Sequence, residues 1–328
     1  MNTAPTARGD AFRPRLLERR ARLQAVSGSV SSEYLNDLIA EIDAALERVN
    51  SGSYGMCESC HDTIELDRLE CNPLVRFCLE HLNRAEMDAH QQDLDLAAQI
   101  QSKLLPPKDI ALEHWDTRYR YQPVGAVGGD YCELTVLDDG QSLFFAVGDV
   151  SGKGVAASLL MTHLSAIFRS LLSLDLPLAE LVSRANRLFC ESTGPAHYAT
   201  LVCGFATPDG VDICNAGHCP PLLLRRDTTQ RVDSTGLPLG LFCGGRYATR
   251  RLSLEAGDSL LLYTDGITEA ENEAGDEYRD ERLIRILRNH FDHGVDAMAD
   301  SVLPDVARFR QAHPPADDMT LLVVCRRG

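Results

Sequence analysis

The chain has 328 residues, 44% of them hydrophobic and 24% charged, and its 48 acidic side chains against 32 lysines and arginines give a formal net charge of −16. That length fits two domains, or one large domain with a small module, and the acidic surplus excludes a protein that coats nucleic acid, because phosphate contacts need a Lys/Arg surface. No apolar run is read as reaching the roughly 18 to 20 residues of a membrane span, and the opening MNTAPTARGDAFRPRLLERRARL has no apolar signal core, so a cytoplasmic protein without a membrane partner is expected.

Eleven cysteines in so long a chain read as metal ligands or reduced core thiols rather than as a disulfide framework. Arg8, Arg13, Arg15, Arg19, Arg20 and Arg22 crowd the N-terminus, where a solvated helix face is preferred to a nucleic-acid arm.

The first piece is assigned to residues 1–85. FRPRLLERRARLQAV reads as a short helix, joined through SGSVS to a second over 31–50, in which Leu35, Leu38, Ile39, Ile42, Leu46 and Val49 recur at helical spacing, with Ser31 or Ser32 as cap and Gly52 as stop. Two such helices make a hairpin. Cys57 and Cys60 then form a CxxC, and Cys78 and His81 a CxxH, a spacing that lets tight knuckles aim four side chains at one tetrahedral Zn²⁺; Cys71 and His61 are spare candidates. A linking helix is assigned to 86–107, with Leu94, Ala97, Ile100 and Leu104 along one stripe and a stop at Pro106 and Pro107. Its stripe serves either a homodimer or packing against the next domain.

From 108 to 328 the texture changes. SLFFAV, YATLVCGFA, VDICNA, PLLLR, DSLLLYT and MTLLVVCR are short β-rich runs, with a PDG turn between the second and third, and helices are expected over 154–174, 178–192 and 280–291. Strands in bursts with helices interposed predict an α+β sandwich of stacked sheets rather than regular βαβ alternation.

GDVSGKGVAA, residues 148–157, resembles a phosphate-cradling loop but fails its spacing: Gly148 and Gly152 are one residue too close, and Gly154 stands where the magnesium-binding hydroxyl belongs. What remains is Asp149 at a strand end. Asp130 in GGDYCE, Asp265 in LLYTDGITEAEN and the pair Asp317 and Asp318 in ADDMTLLVV are placed similarly. Carboxylates alone suit hard cations such as Mg²⁺ or Mn²⁺, and two such ions can hold a hydroxide in line with a phosphoryl group.

In this order GGDYCE, VGDVSGKGVAA, NAGHCPPLLL, GLPLGL, LLYTDGITEAEN and DDMTLLVV, with the lead-in LAAQIQSKLLPP, resemble the metal-dependent protein phosphatases (PPM family), specifically the bacterial SpoIIE/RsbU-like branch. The resemblance implies an αββα sandwich and a serine/threonine phosphatase using two Mn²⁺ or Mg²⁺. It implies that Asp149 bridges both ions with the backbone carbonyl of Val150 alongside, that Asp265 and Asp317 bind one ion, and that Asp130 binds or orients water at the other; Asp149 and Asp130 are the catalytic pair. Gly152, Lys153 and Gly154 form a turn near the metals with Lys153 exposed, and Asp318 and Thr320 support their loop. His218 of NAGH is structural. Glu133 stands where the branch often has Asp, and no arginine precedes GGD. The substrate implied is a phosphoprotein, a small anti-sigma-factor antagonist in a partner-switching pathway.

ALERVNSGSYGMCESCHDTIELDRLECNP followed by CLEH is similar to the zinc finger of the DksA/TraR family, with His81 in place of a cysteine and Cys71 where alanine is common. The resemblance implies one Zn²⁺, read as structural in preference to redox-sensing, in a module that regulates the phosphatase. The rival reading is a transcription regulator that binds RNA polymerase through this module and carries the phosphatase domain as passenger; the hairpin tip VSGSVSS lacks the acidic residues such binding uses. A degenerate phosphatase that only scaffolds is disfavoured by the four aspartate motifs.

Overall fold

Two helices open the chain, α1 (Pro5–Ser27) and α2 (Glu33–Ser51), and a third, α3 (Leu66–Cys71), lies between the Cys57/Cys60 and Cys78/His81 knuckles. The computed structural model describes residues 5–27, 33–81, 84–194 and 196–328; the expected Ser31/Ser32 cap lies outside them. On α2 the three- and four-residue spacing holds, with Ile42, Ala45 and Val49 buried against Phe12 and Leu16 of α1. The same cluster takes in Tyr54, Cys57, Ile64, Leu69 and Cys78, so the knuckles and the hairpin share one small core. α1 begins several residues before the expected start at Phe12.

The chain divides into two units between Asp93 and Leu94, within α4 (Arg84–Leu104). In the second unit the strands are β1 (Asp109–Ala111), β2 (Trp115–Gln122), β3 (Tyr131–Val136), β4 (Leu143–Val150), β5 (Ala199–Thr207), β6 (Gly210–Ala216), β7 (Leu222–Leu224), β8 (Thr229–Arg231), β9 (Arg250–Leu252), β10 (Ser259–Tyr263) and β11 (Met319–Arg326). Its further helices are α5 (Gly154–Leu172), α6 (Leu178–Ser192), α7 (Asp265–Thr268), α8 (Arg279–His290) and α9 (Gly294–Arg310).

The strands form a six-stranded sheet, in the order β1-β2-β11-β10-β7-β8, and a five-stranded sheet, β3-β4-β5-β6-β9. Period-two alternation assigns every strand residue to a layer. On β4, Leu143, Phe145 and Val147 join Trp115, Leu260, Leu262, Leu322 and Val324 between the sheets, while Phe144, Ala146 and Val150 turn outward to Met161, Phe168 and Leu181 of α5 and α6. On the far side, Leu261, Tyr263, Leu321 and Val323 pack beneath Leu283, Leu287, Met298 and Val302 of α8 and α9. Helix, sheet, sheet, helix is the αββα order expected.

Two expectations need correction. α5 is 19 residues long with a mean hydropathy of 1.5, so one helix does have the length and composition of a membrane span. It is a core helix: Ala157, Met161, Leu164, Ile167, Phe168 and Leu171 are buried on the five-stranded sheet, and apolar content on the inner face raises its average. On α4 the expected stripe is displaced, because Ile100 is 53% exposed while its neighbour Gln101 is 5% exposed.

Candidate active site

The inter-sheet faces that carry leucine and valine through the core end in polar residues at one edge of the sandwich. On β3 the positions Leu134 and Cys132 are followed, one step out, by Asp130; on β4, Val147 by Asp149; past β10, Leu262 by Thr264; on β11, Leu322 by Thr320. Tyr131 pairs with Gly148, so Asp130 and Asp149 leave adjacent strands side by side. The Thr264 and Thr320 hydroxyls both donate to Asp130 Oδ2, at 2.9 and 2.6 Å, joining the two sheets across their common edge.

Two loops complete the edge. Asp265 opens the short helix α7 directly after β10, and Asp317 precedes β11. These loops touch through Gly266: a Cβ there would stand 2.0 Å from the Asp318 carbonyl oxygen, a closeness only glycine allows. Asp318 accepts from the Val124 and Gly129 amides, both at 2.7 Å, and so ties the GGD loop to the β11 loop. Gly152 and Gly154 hold φ of +106° and +65°, the left-handed turn that carries the chain from β4 to α5. Lys153 between them is 70% exposed, yet its Nζ lies 3.0 Å from Asp317 Oδ2 and donates to the Ala316 carbonyl at 2.8 Å.

The electrostatics are those of carboxylates short of positive charge. Burial, then the charges of Asp265, Asp317 and Asp318, push Asp149 up to about 7. Burial and Asp317 raise Asp265, and burial raises Asp130 well above the usual carboxylate range, with Asp149 adding to it against the threonine hydrogen bonds. The Lys153 ammonium opposes the rise at Asp265. An oxygen-only donor set of this kind, polarised at the edge of a dry core, fits divalent hard cations.

Two other residues are held by partners of their own. His218 is buried, its amide donating to Asn215 Oδ1 at 2.8 Å and its Nδ1 2.9 Å from the Thr200 hydroxyl, and burial lowers its pKa to about 4. Held through its backbone amide and Nδ1, the residue braces β5 against the loop after β6. Glu133, 2% exposed, is taken by Arg169 at 2.8 Å and by the Thr135 hydroxyl.

In the first unit, Cys57, Cys60, Cys78 and His81 bring their ligand atoms within 4.8 Å of one another. Cys60 and Cys78 sulfurs are 3.7 Å apart and Cys78 Sγ is 3.2 Å from His81 Nδ1, close to the edge of about 3.7 Å that a tetrahedron of Zn–S bonds near 2.3 Å requires. Burial opposes ionisation of Cys57, but hydrogen bonds from the backbone of Cys60, Cys78 and Ser59 outweigh it and bring the thiol to about 6. The Asp62 backbone lowers Cys60, yet burial and the neighbouring sulfurs of Cys57 and Cys78 carry it up to about 11. Three sulfurs and a nitrogen so placed fit one zinc ion. Cys71 and His61, the spare candidates, are exposed and outside the cluster.

The sandwich and its carboxylate edge define a PP2C-type serine/threonine protein phosphatase. The chain belongs to the SpoIIE family, whose model, described as Stage II sporulation protein E (SpoIIE), matches residues 139–327. Phosphoserine phosphatase RsbU of Bacillus subtilis is 26% identical over 243 residues, covering 72% of this chain and 71% of that protein. A crystal structure of the RsbU and RsbW domains of a Mycobacterium tuberculosis protein is similar at a TM-score of 0.59 and 27% identity, over 67% of this chain and 62% of that one. The zinc segment is similar to the RNA polymerase-binding transcription factor DksA of Caulobacter vibrioides, 47% identical over 49 residues, 15% of this chain and 34% of that protein.

Sequence reasoning missed two contacts at this edge. Lys153 reaches Asp317 across the turn, and Gln101 of α4 bonds to the GGD loop. The second had a signal: Leu94, Ala98, Gln101 and Leu105 follow a four-three-four spacing in which glutamine is the one polar member.

Proposed function

We propose that this protein hydrolyses phosphoserine or phosphothreonine on a partner protein, with Asp149, Asp265, Asp317, Asp130 and the Val150 carbonyl as the residues that would hold two Mn²⁺ or Mg²⁺. The observation that supports it is the convergence of four strand-end and loop carboxylates, undercompensated in charge, at one edge of the sandwich. When bound, such ions activate a water and neutralise charge at the transferring phosphoryl group. The chain's own part is preorganisation: Thr264 and Thr320 orient Asp130, Asp318 ties the GGD loop to the Asp317 loop, and Lys153 holds Asp317. His218, kept neutral by burial and bonded to Thr200, is read as structural rather than as the proton donor to the leaving serine oxygen.

The partner protein is a small anti-sigma-factor antagonist in a partner-switching pathway, by analogy with RsbU. The enzyme is cytoplasmic, in keeping with eleven free thiols. The zinc centre is structural and its module regulates the phosphatase. Leu96 and Ile100, exposed on α4, are the surface for a homodimer. The finger similarity to DksA covers too little of either chain to favour polymerase binding.

The test is phosphate release from a phosphoserine protein with Mn²⁺. Asp149→Asn should fall to background while keeping its circular dichroism; equal turnover by that variant, or by metal-stripped enzyme, would sink the reading.

A further inference from the structure

Gln101 is buried on α4, and its side-chain amide spans the backbone of a single residue. Nε2 donates to the Gly128 carbonyl at 2.6 Å and Oε1 accepts from the Gly128 amide at 3.1 Å. Gly128 has no room to shift toward the core, since a Cβ on it would stand 2.2 Å from Tyr121 Oη and 2.4 Å from Asp318 Oδ2. The next residue, Gly129, donates to Asp318 and faces Asp149: a Cβ on it would lie 3.4 Å from the Val150 carbonyl oxygen and 3.8 Å from Asp149 Oδ1. Asp130 follows, its Oδ2 accepting from Thr264 and Thr320.

The GGD loop is thus gripped by Asp318 on one side and Gln101 on the other. Among side chains of this length, only a carboxamide offers a donor and an acceptor at once; glutamate offers no proton and methionine neither group.

We propose that Gln101 is a positioning residue for the metal site, acting through Gly128 to set where Asp130 and the backbone beside Asp149 stand. The inference rests on the metal-site reading above. It assigns the helix before the catalytic domain a part in building the site, and nothing in Gln101 itself touches a metal or the substrate.

The test compares the full chain with Gln101→Met, Gln101→Glu and, as a control on the same helix, Ser102→Ala, whose exposed hydroxyl bonds only within α4. Mn²⁺ binding is read by calorimetry and by the electron paramagnetic resonance of free Mn²⁺, separately from turnover, and folding by thermal melting. The expected result is that Gln101→Met and Gln101→Glu bind Mn²⁺ about tenfold less tightly and need correspondingly more Mn²⁺ for half-maximal rate, with Ser102→Ala unchanged. Unaltered Mn²⁺ affinity in a Gln101→Met protein that melts like the parent overturns the proposal. So does an affinity loss that Ser102→Ala shares. Should Gln101→Met fail to fold, Gln101→Glu carries the same comparison. A parent protein that binds Mn²⁺ but releases no phosphate from phosphoproteins would refute the phosphatase reading and leave the binding comparison to decide Gln101.

Discussion

At the scale of single residues, the site trades stability for function. Asp149 is held among Asp265, Asp317 and Asp318 in a partly dry edge, where like charges repel. Removing its charge relieves that repulsion, so metal-free Asp149→Asn should melt above the metal-free parent, and added Mn²⁺ should stabilise the parent more than the variant; differential scanning fluorimetry checks both. His218 carries a separate signature. Folded, it protonates near 4 because burial opposes the charge, and unfolded near 6.5. The unfolded chain therefore binds a proton that the folded chain refuses as pH falls below about 6.5. Stability from this group is present above that pH and is lost toward pH 4, by about 3 kcal/mol. Urea midpoints between pH 7.5 and 4.5 should fall less steeply in His218→Gln than in the parent.

At the scale of elements, strand parity and loop closure place the chemistry. Asp149 was legible as a strand-end carboxylate because the alternation of Leu143, Phe145 and Val147 points to it. Which loop would meet it was not legible, since Asp317 lies far away in sequence and only the β10–β11 pairing brings it near. Gly266 is the hinge of that meeting. Gly266→Ala would drive a methyl into the Asp318 carbonyl oxygen, backbone against backbone, so a loss of about 2–4 kcal/mol is expected, together with weakened Mn²⁺ binding; chemical denaturation and metal titration would show it. The stripe on α4 shows the limit of pattern reading. Ile100 fits an apolar face, but the domain presents a backbone amide and carbonyl to the helix, and Gln101 satisfies them.

At the scale of the whole molecule, two units of different make-up share one chain. The first has a small core, Phe12, Leu16, Ile42, Ala45, Val49, Tyr54, Ile64 and Leu69 around the cysteines, and metal binding supplies folding energy where so few apolar side chains are buried. One zinc per chain is expected by elemental analysis, falling toward zero in Cys78→Ala. Chelation should expose Cys57, Cys60 and Cys78 to a thiol reagent while the transition of the catalytic unit stays in place, as followed by calorimetry.

The local signals of this chain, hydrophobic period, Cys and His spacing, and aspartates beside glycine turns, were enough for the Cys57, Cys60, Cys78 and His81 cluster, the αββα layers and the family, because each depends on residues close in sequence or on motif order. The tertiary structure decided what those signals leave open: the packing of the span-like α5 in the core, the burial of Gln101 rather than Ile100, the meeting of Gly266 with Asp318, and the reach of Lys153 to Asp317. These are long-range contacts, set by how sheets and loops close on one another, and no spacing within a single element encodes them.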